Sequence, residues 1–157
     1  MYFVNLAGPI ALVMMTAIMF LLVPWERIQR YFLVATAFGV ALGAATYYIL
    51  QNLVQAWRFQ NADLISLAGV PLFMTLAWVP YTIIYFHLLA QYRTFIHVAL
   101  LILISAAVPT FFHFLLEING MLIFNRWAWW DNFLYAAAVY NTLALFLFHR
   151  LKLAAEA

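Results

Sequence analysis

His113 and Glu117, in the stretch "HFLLE", set an imidazole and a carboxylate four residues apart. On a helix that spacing brings both to one face, a turn apart. A hydrogen bond between them would favour the charged imidazole and fix the end of the helix. With a second acid, Asp63 or Asp131, the same pair could handle a proton or bind a cation. Asp131 belongs to "RWAWWDNF", residues 126–133, where Trp127, Trp129 and Trp130 crowd beside Arg126. The candidate ligand-binding set is therefore His113, Glu117, Trp127, Trp129, Trp130 and Asp131. In that reading the tryptophans roof whatever gap His113 and Glu117 line. The plainer reading is an aromatic belt with an Arg126–Asp131 pair where lipid meets water.

Other chemistries have less to stand on. His87, His97 and His149 are expected at similar depth near one end of three helices, and imidazole is a common metal ligand. Their spacings match no metal signature, and H-E-x-x-H is absent, so no metal or cofactor is assigned. The serines are Ser66 and Ser105, neither within a G-x-S-x-G elbow. With no cysteine there is no thiolate nucleophile and no disulfide framework. An intramembrane enzyme is a third class, for which no motif speaks.

The elements holding these residues follow from composition. Of 157 residues 69% are hydrophobic and 8% charged, with mean hydropathy +1.01. Soluble domains carry about 25% charge, so this chain has too little polar surface to cover a core in water. Lipid must cover it. Seven basic residues, unclustered, argue against a nucleic-acid face.

A spanning helix needs about 20 mostly apolar residues. Five stretches qualify, at 3–23, 31–51, 64–89, 95–116 and 132–149, giving an all-α, five-helix transmembrane bundle in one integral membrane domain, residues 1–157. The first is read as a retained helix, because "MYFVNLAGP" lacks a basic leader. Arg27, Arg30, Arg93, Arg150 and Lys152 fall on one side, Arg58 and Arg126 on the other. The positive-inside rule then puts the C-terminus in the cytoplasm and the N-terminus outside.

Packing signals lie in the second, third and fourth spans. "AFGVALG" places Gly39 and Gly43 four apart, with Ala35, Ala37 and Ala41 adding small residues, a face for close helix approach within the chain or between two copies. Pro71, Thr75, Trp78, Thr82 and Tyr85 recur at helical spacing and should face the bundle interior. Pro80 and Pro109 free the carbonyls of Leu76 and Ser105, which kinks the helices or opens a wet cavity between spans three and four. Asn141, midway along the fifth span, is expected to join two helices.

"PWERIQRYF", "NADLISL", "VPYTIIY" and "GMLIFNRWAWWDNF" resemble segments of an uncharacterised family of small multipass membrane proteins common in spore-forming Firmicutes. That family has a Trp-rich start to its last helix and an acidic residue late in the preceding one, which Glu117 matches with a shifted spacing to Gly120. The resemblance implies a five-helix bundle in the cytoplasmic membrane and no established activity. The favoured function is a non-enzymatic module that binds a lipid, a hydrophobic ligand or a membrane partner at the outer aromatic end. The alternative is an oligomeric ion or solute carrier using His113, Glu117 and Asp131.

Overall fold

Two kinds of connection alternate along the chain. Pro24 disfavours helix at Val23, which is extended at φ −113° and ψ 120°, so the chain reverses within two residues. Tyr92-Arg93-Thr94 makes a second tight reversal. The other two connections are long and build structure. In the computed structural model residues 5–156 are described, with side chains for residues 5–149. The described residues form five helices: α1 (Ala7–Leu22), α2 (Trp25–Tyr48), α3 (Leu72–Gln91), α4 (Phe95–Ile118) and α5 (Trp129–Glu156). Four short strands occupy the long connections: β1 (Trp57–Phe59), β2 (Ser66–Leu67), β3 (Val70–Pro71) and β4 (Leu122–Phe124).

β1 pairs antiparallel with β4, Trp57 opposite Phe124 and Phe59 opposite Leu122. The connections expected on one side of the bundle are thus joined into a cap. Alternation explains the pairing: Trp57 and Leu122 are each 1% exposed, while Arg58 and Ile123 face outward. The start of α1 belongs to the same end, since Gly8 N–H donates to the Ala62 carbonyl at 3.0 Å.

The third span differs from its expected form. Residues 64–71 are apolar but not helical, because Ala68 and Gly69 take φ of +50° and +80°. Two consecutive left-handed residues between Leu67 and Val70 are what a type I′ hairpin requires. Gln51 Nε2 and Asn52 Nδ2 hold the hairpin by donating to the Gly69 and Ala68 carbonyls at 2.8 and 3.0 Å. These amides sit on a π-helical turn, Ile49–Leu53, that ends α2. Pro71 caps α3 instead of lying on its face, and Thr75 donates to its carbonyl at 2.7 Å.

α3 is the axis, buried along most of its length, whereas α4 is largely exposed. α1 and α2 pack along it, and α4 packs mainly on α5. A Cβ at Gly39 would meet the Val79 backbone at 3.0 Å, and one at Gly43 the Trp78 ring at 3.3 Å. The small-residue stripe of Ala35, Gly39 and Gly43 therefore closes an internal contact, with Ala37 and Ala41 away from it. Thr75, Thr82 and Tyr85 turn inward as expected, and Tyr81 donates to the Ser105 carbonyl that Pro109 frees, at 3.0 Å. Asn141 does not join helices. It is exposed on the flank of α5, without a hydrogen bond among the described residues.

Among the described residues three helices are long and apolar enough to cross a membrane: Trp25–Leu53, Leu72–Gln91 and Phe95–Ile118. α1 is apolar but has 16 residues, about 24 Å at a rise of about 1.5 Å each. The beginning of the expected first span, and the side chains of Arg150 and Lys152, lie outside the described residues.

Two substitutions test this packing by thermal unfolding in detergent. Gly39→Ala meets backbone and should cost about 1–3 kcal/mol, the range for overpacking, and more than Gly43→Ala, where a side chain can yield. Ala68→Gly removes a left-handed penalty of about 1–2 kcal/mol and should raise the midpoint.

Candidate functional site

An apolar crevice of about 280 Å³ lies in the half of the bundle next to the cap. Its floor is the start of α3, at Met74, Ala77, Trp78 and Tyr81. Ile10 and Met14 of α1 form one wall; Val108, Phe111 and Leu115 of α4 form the other. Those five are also exposed on the bundle flank, so the crevice opens sideways between α1 and α4. The crevice touches both α3 and α4, but its lining is mainly apolar rather than the polar one a wet cavity would need.

His113 is its one imidazole. The ring is 4% exposed and boxed by Trp57, Phe59 and Tyr47, with ring centroids at 5.2, 5.9 and 6.3 Å. The Tyr47 hydroxyl accepts from Trp78 Nε1 at 3.1 Å. Beyond His113 the rings continue through Trp57 to Trp127 at 6.0 Å.

The hydrogen bonds assign the imidazole tautomer. Thr110 Oγ1 gives its single proton to the Ala106 carbonyl at 2.8 Å, so towards Asn132 it can only accept. Asn132 Nδ2 therefore faces it, at 3.4 Å, and Asn132 Oδ1 faces His113 Nδ1, at 3.2 Å. A carbonyl oxygen cannot donate, so Nδ1 carries the proton. In the neutral ring Nε2 is then a free acceptor on a residue that lines the crevice. No hydrogen bond among the described residues occupies it. The arrangement can orient a ligand group that donates a hydrogen bond.

The structure separates the residues grouped by sequence. Glu117 is exposed and is not the partner of His113. Asp131 Oδ2 accepts from Ala128 N–H at 2.8 Å, capping the start of α5 rather than pairing with the exposed Arg126. Trp129 and Trp130, 60% and 58% exposed, stand outside the crevice. Trp127 is half-buried behind Trp57. Leading into "RWAWWDNF", Leu122–Phe124 forms β4 and pairs with β1 in the cap. Among the described residues no three potential metal ligands converge. His87, 3% exposed, bonds Gln91 and Arg27, while His97 and His149 are exposed.

Sequence reasoning missed Trp57 and Asn132. The signal for Trp57 was the in–out–in pattern of "WRF". Asn132 gave the weaker one of an amide beside Asp131, a turn inside a helix. Comparison with family models, curated proteins and solved structures returns no match.

Asn132→Leu should strand His113 Nδ1 and cost about 1–3 kcal/mol, the penalty for an unmade buried hydrogen bond. In ¹⁵N-histidine spectra His113 should show a protonated Nδ1 and an unprotonated Nε2 in the native protein, and lose that preference in the variant.

Proposed function

We propose that the chain is a five-span integral membrane protein, N-terminus outside, that binds a hydrophobic, chain-like ligand entering sideways from the bilayer. The sideways opening of the apolar crevice between α1 and α4 carries this reading. Apolar pockets with a few placed polar groups are the usual form of small-molecule sites. The ligand's body lies against Met14, Ala77, Trp78 and Phe112, and a donor group, such as a hydroxyl, reaches Nε2 of His113. Membrane residence is supported by the three apolar helices and by the exposed apolar flank of α4, from Phe95 to Ile118. Orientation is supported by Arg27, Arg30 and Arg93 at the tight-turn end, against Arg58 and Arg126 at the capped end. The carrier reading needs His113, Glu117 and Asp131 together, and their positions do not favour it.

Lipid analysis of protein purified in nanodiscs should find a bound single-chain or isoprenoid-like species near stoichiometric. Ala77→Phe should fill the crevice and lose it, with the fold intact by circular dichroism. A species retained by that variant, or none in the native protein, contradicts the reading. For orientation, a C-terminal GFP fusion should fluoresce and a C-terminal alkaline phosphatase fusion should be inactive.

A further inference from the structure

A second cavity, of about 580 Å³, opens on the cap and differs in kind from the crevice. Its lining is rich in carboxamides, among them Gln51, Asn52, Gln55, Asn61 and Asn125. Arg58, Ser66 and Asp63 bring one guanidinium, one hydroxyl and one carboxylate.

Three observations about this cavity converge. First, two of its lining residues keep buried polar atoms without a partner. These are Nε1 of Trp57, which is 1% exposed, and Oδ1 of Asp63, which is 8% exposed. An unmet buried donor or acceptor costs about 1–3 kcal/mol. Second, backbone strain gathers here. Among the described residues the non-glycine positions with positive φ are Gln55 at 55°, Asn61 at 51° and Ala68 at 50°. The first two line the cavity, and the third adjoins the lining residue Gly69. Residues held in such conformations cluster at ligand clamps. Third, the cavity leans on the π-helical turn at 49–53, a distortion frequent at functional sites.

We propose that this cavity binds a neutral, hydroxyl-rich group: a sugar or polyol unit, free or as the headgroup of a glycolipid. The balance of donors and acceptors points there. A carboxamide offers both, as a hydroxyl does, and the side chains of Gln55 and Asn61 make no hydrogen bond among the described residues. A hydroxyl can both donate to and accept from the exposed side chains of Gln55, Asn61 and Ser66, which face the cavity with their polar groups open. The one guanidinium, Arg58, is matched by the one carboxylate, Asp63, so the lining has no net charge to select an anion. A metal ion would find a single carboxylate, and no ligand cluster exists among the described residues. The site is separate from the crevice and does not depend on what the crevice binds.

The test uses the full chain in phosphatidylcholine nanodiscs, because glycosidic detergents carry the proposed ligand. Saturation-transfer NMR with free glucose, galactose, maltose and glycerol forms one arm. Native mass spectrometry with monoglucosyl diacylglycerol in the disc forms the other. Binding in the first arm assigns a soluble ligand, and binding in the second alone assigns a headgroup; either supports the site. Ser66→Trp should abolish binding. Ser66→Ala, which leaves the cap undisturbed, should weaken it about fivefold, the equivalent of one ordinary hydrogen bond. The proposal is overturned if no hydroxyl-rich probe binds. It is equally overturned if binding survives both substitutions, or if inorganic phosphate or magnesium binds in place of the sugars.

Discussion

Asp63 sits where three parts of the molecule meet. Its Oδ2 accepts from the Met74 N–H at 3.0 Å, in the first turn of α3, where the helix leaves such groups unpaired and its dipole favours an anion. The Gly8 backbone lies against the same carboxylate so closely that a Cβ there would collide with it. The neighbouring carbonyl of Ala62 takes the Gly8 N–H. One acidic side chain from a loop therefore finishes α3 and seats the start of α1. It also fixes the height at which the cap rests on the bundle, and the rest of the site is built from that height.

With the cap held there, Trp57 and Phe59 of β1 come down onto His113 and Tyr47. This aromatic layer divides the upper part of the protein. Above it the lining is amide, hydroxyl and charge; below it the lining is aliphatic and aromatic, open to the flank. The non-helical segments collect in the cap, where strand pairing and side-chain amides satisfy their backbone groups. Inside the bundle, the carbonyl released by Pro109 is taken by Tyr81, and α2 is tied to α5 through Thr46 and Tyr135 at 2.8 Å.

Much of this architecture can be read from the order of residues. Apolar length and breaking polar segments mark the helices. The alternation of reversals predicts that the second and fourth connections share a side, and β1–β4 pairing joins them. The stripe of Thr75, Thr82 and Tyr85 has one interpretation on a helix, and it holds. What escaped depends on contacts distant in sequence. Residues 64–71 are apolar enough to pass for helix, and Gly69 and Pro71 gave the only warning of a hairpin. His113 and Glu117 share a helical face by spacing, yet β1 of the cap, Tyr47 and Asn132 cover one, and the other is left exposed. A hydrogen bond from His113 to Asn132, 19 residues away, has no local signature. Asp131 was recognisable as a charge but not as a cap, since that role depends on where α5 begins.

The crevice between α1 and α4 is the central claim, and Met74 reports on it directly. It lines the crevice yet is 2% exposed, so a bilayer chain reaches it only by entering. Met19, 6% exposed on α1 and outside the crevice, is an internal control. Replacing methionine uniformly by its diazirine analogue, irradiating in native membranes and mapping adducts by peptide mass spectrometry distinguishes the two. The account predicts lipid- or ligand-derived adducts on the peptide containing Met74 and none on Met19. Adducts absent from Met74, or equal at both positions, would contradict it.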